Sequence, residues 1–140
     1  PLQADTFEVV CGPQHPLARK RRLRWADLQD QQWLLPPVDA LARHRLEALA
    51  QEHGLRMTMS PLITRVSGMT AAMLLQQPLL TLVPGSVLAH RCRTGELVAL
   101  KLPAPLPYEP LGSLLPEEGA AEATRRLADY LRASRARDAR

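Results

Sequence analysis

Residues 7–28 read FEVVCGPQHPLARKRRLRWADL, and three kinds of local structure follow one another along them. Phe7, Val9, Val10 and Cys11 are bulky or β-favouring and Gly12-Pro13 ends the run, so Asp5 to Gly12 is expected to form a strand. His15-Pro16-Leu17-Ala18 then turns the chain, because Pro16 has no N–H to give to a ladder and fixes its own φ. A basic loop from Arg19 to Arg24 leads into a short helix through Trp25, Ala26, Asp27 and Leu28.

Strand and helix alternate from there. Gln32-Trp33-Leu34-Leu35 reads as a brief apolar strand stopped by Pro36-Pro37. Asp39 is placed to cap the next helix, whose Leu46, Leu49 and Ala50 share one face before Gly54 closes it. Arg56 to Val66 reads as extended with a bend at Pro61, Ser67-Gly68 as a turn, and Met69 to Gln76 as a helix. Leu79 to Val83 is a continuous apolar run of the kind buried on both faces, and Pro84-Gly85-Ser86 opens a helix to about Arg93. Leu97 to Leu102 makes a last strand. The order predicts an α/β fold with an open, mostly parallel sheet flanked by helices.

The remainder reads differently. Pro103, Pro105, Pro107 and Pro110 make a stiff, donor-poor series, expected to be a crossing linker rather than a central strand. Leu111 to Leu115 is a candidate strand. Ala120 to Leu131 is a candidate helix, with Ala120, Ala123, Leu127, Tyr130 and Leu131 on one face and Glu122, Arg125, Arg126 and Asp129 opposite. Glu117-Glu118 suits its first turn, where acidic groups favour the helix dipole. The apolar face needs a partner, so association between chains is expected, as a homo-oligomer.

The His15-Pro16-Leu17-Ala18 turn, the Asp27-Leu28 helix, the Gln32–Leu35 strand, Pro78-Leu-Leu-Thr-Leu-Val-Pro84 and the Gly95-Glu96-Leu97-Val98 step occur in an order that resembles the second half of a LysR-type transcriptional regulator. The resemblance covers nearly the whole chain; each motif is loose alone, and their order and spacing carry it. It implies a type 2 periplasmic-binding-protein-like lobe over residues 1–104, with 105–140 a linker, strand and helix returning to a first lobe. It also implies a fragment, since the family's helix-turn-helix, linker helix and first lobe would precede Pro1. DNA would then be contacted only through the absent amino-terminal domain. One step departs from the family pattern: Gln76-Gln77-Pro78-Leu79-Leu80 stands where many relatives have a Gly-rich segment.

In open α/β sheets ligands gather at the carboxyl ends of strands, where strand-helix turns offer free N–H groups. Two turns qualify: Pro36, Pro37, Val38, Asp39 and Val66, Ser67, Gly68, Met69, Thr70. By the resemblance they are the effector-facing loops. Ser67 and Thr70 would bond a carboxylate or hydroxyl, the N–H groups of Gly68 and Met69 would receive a negative oxygen, and Val38 with Met69 would give apolar wall. The plain alternative is that Asp39 and Ser67 are helix caps, and Asp39 would itself repel a carboxylate. The implied partner is a small anionic or aromatic metabolite.

Composition narrows the other classes. An apolar fraction of 46% over 140 residues suits one soluble domain. There is no apolar run of membrane-spanning length and no secretory pattern at the start, so no membrane role is expected. Cys11 and Cys92 fit neither a metal site nor a disulfide scaffold, which favours a cytoplasmic setting. His15, His44, His53 and His90 are scattered, Ser67 lacks a G-x-S-x-G context, and phosphate-cradling glycine patterns are absent. Hence no enzyme, metal or cofactor is expected. Arg19, Lys20, Arg21, Arg22 and Arg24 crowd together, and Arg132, Arg135, Arg137 and Arg140 mark the tail, but aromatic content is 4%, too low for stacking on single strands. The competing functions are a solute-binding module of the periplasmic type and a small enzyme on a flavodoxin-like sheet.

Overall fold

A computed structural model describes residues 2–116 and 121–138, with side chains through 134. The strand of the opening segment is β1, Gln3–Cys11. Two short 3-10 turns follow, Pro16–Arg19 and Trp25–Leu28. Then come β2 (Gln32–Leu35), α1 (Leu41–His53), β3 (Thr58–Ile63), α2 (Ser67–Gln76), β4 (Leu80–Pro84), α3 (Gly85–Arg93), β5 (Val98–Ala99), β6 (Leu106–Leu111) and α4 (Glu122–Asp138).

The sheet runs β3-β2-β4-β1, and β5 and β6 both pair with the far edge of β1. β2 is parallel to β3 and β4, whereas β1 is antiparallel to β4, β5 and β6. Five strands therefore point one way and β1, inside the sheet, points the other; the sheet is mixed, a correction to the mostly parallel arrangement expected. A parallel neighbour needs a crossover of a dozen or more residues, usually helical. β1 instead finds all its partners far along the chain, so the local alternation of strand and helix carried no information about its direction.

Both faces of the sheet are covered, which explains the unbroken apolar runs. Phe7, Val9 and Cys11 of β1, Trp33 and Leu35 of β2, and Leu80 and Leu82 of β4 bury one face beneath Ala42, Leu46 and Leu49 of α1, with Leu17, Leu23 and Leu28 from the opening turns. The alternate residues Val10 and Leu34 join Ala71 and Leu74 of α2 and Leu88 of α3 on the other. Period-two alternation thus separates two cores rather than core from water. Thr81 is a polar exception that satisfies itself: its hydroxyl donates to the Leu34 carbonyl at 2.9 Å.

Several local readings change. α1 does end at Gly54, in the left-handed region at φ 61°. Asp39 does not cap it; the residue before α1 is Ala40, which makes no side-chain cap bond. Ser67 and Gly68 form the first turn of α2 rather than a connection before it, and Val66 precedes the helix. The bend expected at Pro61 coincides with a jump in register, since Trp33 faces Met59 while Leu35 faces Ile63.

The largest correction is to the proline series. Pro107 and Pro110 lie within β6, which pairs with β1 from Phe7↔Leu106 to Gln3↔Leu111. Proline is excluded from central strands but tolerated on an edge, where its missing donor faces no neighbour. Of the candidate strand 111–115 only Leu111 is extended in the sheet. Residues 3–6 of β1 pair only with β6, so the two form a ribbon beyond the body of the sheet. α4 runs past the expected end of its helix, and Leu127 and Tyr130 remain exposed on it. The readings placed on Glu117, Glu118 and Ala120, and the side chains of Arg135, Arg137 and Arg140, lie outside the described residues.

Candidate functional site

Because β2, β3 and β4 run parallel, their carboxyl ends lie on one side, and each leads to a helix: β2 to α1, β3 to α2, β4 to α3. Three helix amino termini therefore converge, each with first-turn N–H groups that no intrahelical carbonyl can satisfy. Between them lies a cavity of about 160 Å³. Its floor is Leu34, Leu82 and Leu88; its walls include Leu35, Pro36, Pro37, Ala40, Thr64, Arg65, Ser67, Thr70, Pro84 and Val87.

Four of the nine residues singled out from sequence line this cavity: Pro36, Pro37, Ser67 and Thr70. Val38, Val66 and Met69 are exposed, at 68%, 61% and 50%, and with Gly68 and Asp39 they stand outside it. The Thr70 hydroxyl donates to the Val66 carbonyl at 3.2 Å, which leaves its oxygen lone pairs for a ligand donor but no proton for a ligand acceptor. Thr64 is likewise turned on its own backbone, its hydroxyl accepting from Val66 N–H at 3.1 Å.

Arg65 is the residue that turn-by-turn reading missed. One guanidinium nitrogen, Nη2, donates to both carboxylate oxygens of Asp39, at 2.8 and 3.0 Å, which leaves Nε and Nη1 without a recorded partner among the described residues. The hydrogen bonds and charge of Arg65 hold the Asp39 carboxyl below its ordinary range. Both side chains are largely exposed, so the pair adds little to stability. Its effect is positional: it holds a cation at the edge of an otherwise apolar hollow. Pro84 and Val87 were missed too, because Pro84-Gly85-Ser86 was read only as a helix opening. The signal that would have found all three is topological, since the third strand-helix turn belongs to the same end of the sheet as the first two.

At the carboxyl end of β4 the third helix terminus is already occupied. The Asp5 carboxylate accepts from Ser86 N–H at 3.2 Å and from the Ser86 hydroxyl at 2.6 Å. Glu8 lies close by, its carboxyl pushed up by burial and then by Asp5. The α2 terminus has no such internal carboxylate among the described residues.

Other chemistry finds no such assembly. No group of three His, Cys, Asp or Glu side chains able to hold a metal occurs among the described residues, and no described helix is long and apolar enough to cross a membrane. Cys11 is fully buried and its thiol is pushed up to about 12, chiefly by burial and then by Cys92, which makes it an inert core residue. His15 is buried with Nδ1 accepting from Leu17 N–H at 3.1 Å, a structural cap of the first 3-10 turn.

The fold has counterparts among known proteins. Among solved structures, the chain is similar to the regulatory domain of CcmR from Synechocystis PCC6803 in complex with 2-PG, with TM-score 0.71, 18% identity, and 96% of this chain and 64% of that one covered. It is similar to the effector-binding domain of QuiR in complex with shikimate, with TM-score 0.66, 16% identity, and coverage of 98% and 64%. It is also similar to substrate-binding domain 2 of GlnP from Lactococcus lactis in its open conformation, with TM-score 0.65, 15% identity, and coverage of 99% and 56%. The chain thus spans less than two thirds of each of these structures. At such identities they show the fold, a type 2 periplasmic-binding-protein-like mixed sheet that does not close. No curated protein matches the sequence. The family model for the LysR substrate binding domain matches residues 1–136, and the chain belongs to that family.

Proposed function

We propose that this chain is the ligand-sensing portion of a LysR-type transcriptional regulator, in which a small anionic metabolite with an apolar or aromatic body alters how the protein holds DNA. The carrying observation is the hollow between three strand-helix turns, with Arg65 at its rim. A carboxylate or phosphate oxygen would be received by Arg65 and by the first-turn N–H groups of α2. Pro36, Pro37 and Val87 would contact the body of the ligand. That CcmR was solved with 2-PG and QuiR with shikimate supports a small-molecule effector as the ligand class.

The cavity is smaller than the roughly 300–1,000 Å³ of sites that enclose a drug-sized ligand. A second lobe closing over the mouth would supply the missing wall, with exposed Val38, Val66 and Met69 meeting it and Asp39 acting through Arg65. Coupling then requires only that the ligand prefer one arrangement of the lobes. In this reading the regulator works in the cytoplasm as a homo-oligomer, without cofactor or catalysis.

The test uses the regulator that carries this chain. Ser67→Ala, and Thr70→Val where the effector carries a hydroxyl that donates to the Thr70 oxygen, should weaken the effector response while promoter binding stays intact. Effector titrations that superimpose for the wild type and both variants reject this site.

A further inference from the structure

The basic loop that follows β1 gathers more cations without a carboxylate partner than any other segment of the described residues. Nine Lys and Arg side chains stand within ion-pair distance of a carboxylate, including every Arg of α1. Arg19, Arg21, Arg22 and Lys101 have no such partner among the described residues, and all four are exposed. Arg19, Arg21 and Lys101 line one groove of about 340 Å³, between the loop and the segment from β5 to Lys101, and no acidic residue lines it. Arg22 sits next to it in the chain.

The loop is also held in place. Leu17 and Leu23 are buried at its two ends, and the His15 imidazole caps the turn between them. Asp27 draws back two of the neighbouring cations, accepting from Lys20 Nζ at 2.8 Å and from Arg24 Nη2 at 3.4 Å. Trp25 stacks on His53 at 4.3 Å, which fixes the loop's far side to α1. Cations on an anchored backbone lose less entropy on meeting anions than cations on a free tail.

We infer that this face is a docking surface for the sugar-phosphate backbone of duplex DNA, contacted through Arg19, Arg21, Arg22 and Lys101. Scarcity of aromatics argues against stacking on single strands; it is no objection here, because phosphate contacts on a duplex need cations and no rings. The inference goes beyond the sensing role, and it departs from the expectation that DNA is touched only by an absent domain. It implies affinity without base reading, suited to a domain that lies against DNA held by another part of the protein.

The experiment is fluorescence anisotropy of this chain with a random-sequence duplex of about 25 base pairs, over roughly 50 to 200 mM salt. Four phosphate contacts predict a slope of log affinity against log salt of about −3.6, and Arg19→Gln/Arg21→Gln/Arg22→Gln should reduce its magnitude by about 2.7. A control, Arg125→Gln/Arg126→Gln/Arg132→Gln, removes the same charge from α4 and should leave both affinity and slope near those of the wild type. Equal losses in the two triple variants would reduce the effect to net charge and overturn the assignment, as would no binding at the lowest salt. Poly-aspartate competing as well as DNA, charge for charge, would assign the face to an acidic protein and overturn it too. All six substituted side chains are exposed, so circular dichroism melts of both variants should match the wild type.

Discussion

Arg65 Nη2 lies 2.8 and 3.0 Å from the two carboxylate oxygens of Asp39, bridging the turn after β3 to the turn after β2. A single nitrogen serves both oxygens, so most of the donor fork stays open toward the cavity. Asp39 thereby competes with any anionic ligand while also positioning the group that would bind it. Two substitutions separate these effects. Arg65→Gln should weaken binding of a small aromatic carboxylate such as benzoate by about ten-fold or more, the usual worth of a charge-assisted hydrogen bond. Asp39→Asn should strengthen it by a few fold, since the competitor loses its charge. Isothermal calorimetry on the protein that carries this chain measures both, and a loss of affinity in Asp39→Asn would show that positioning outweighs competition.

Glycine substitutions should give three different results in urea unfolding. Gly54 has φ 61° and open space around its Cα, so Gly54→Ala incurs only backbone strain, about 1–2 kcal/mol. A Cβ on Gly12 would lie 2.1 Å from the Leu74 carbonyl, where Gln14 Nε2 also donates at 2.8 Å. Gly12→Ala must push the end of β1 off α2, and should be the most damaging of the three. Gly68 has neither positive φ nor a near neighbour, so Gly68→Ala should stabilise α2 by up to about 1 kcal/mol. A destabilised Gly68→Ala would mean that its environment is tighter than this geometry.

These positions also show what a one-dimensional reading reaches. Gly54, the strand at Gln32–Leu35 and the apolar run at Leu79–Val83 were readable because their signals are local: a left-handed closure, a proline stop, unbroken burial. β1's direction and the strand character of Leu106–Leu111 were not, because both depend on partners far along the chain, β4 and β6 for β1 and β1 for Leu106–Leu111. Pro107 and Pro110 look like breakers until β1 offers an edge that asks nothing of their missing N–H. Arg65 escaped notice for a related reason. It sits before Val66, in a stretch that reads from sequence as extended, and acquires meaning only when Asp39 is brought across from another unit.

Acid should loosen the opening segment in two steps. Burial lowers the His15 pKa, and Nδ1 already accepts from Leu17 N–H, so the folded state holds the neutral ring. The unfolded chain takes up a proton near its ordinary value of about 6.5, and the folded chain does so only at lower pH. His15 therefore leaves stability whole above that value and reduces it as pH falls below. Asp27 is held down to about 2, first by the hydrogen bond from Lys20 and then by Arg24, so its contribution is present above the ordinary carboxylate range and is lost as pH falls towards 2. Melting temperatures between pH 8 and 3 should therefore decline from about pH 6.5, and His15→Gln should flatten the upper part of that decline. An unchanged profile in His15→Gln would remove His15 as its cause.

The ribbon formed by β1 and β6 is tied to the body of the fold through Asp5, whose carboxylate accepts both the backbone N–H and the hydroxyl of Ser86 at the start of α3. It behaves as an amino-terminal cap supplied from a strand rather than from the helix's own chain. Removing it leaves first-turn donors of α3 without an acceptor, so Asp5→Ala should cost about 1–2 kcal/mol in urea unfolding. Ser86→Ala removes the hydroxyl and keeps the N–H bond, and should cost about half as much. Because Asp5 also raises the Glu8 carboxyl, Asp5→Ala should let Glu8 titrate closer to its ordinary value, visible by carbon-detected NMR of the side-chain carboxyl. If Asp5→Ala and Ser86→Ala together cost no more than Asp5→Ala alone, the two groups act as one contact, which is what the geometry requires.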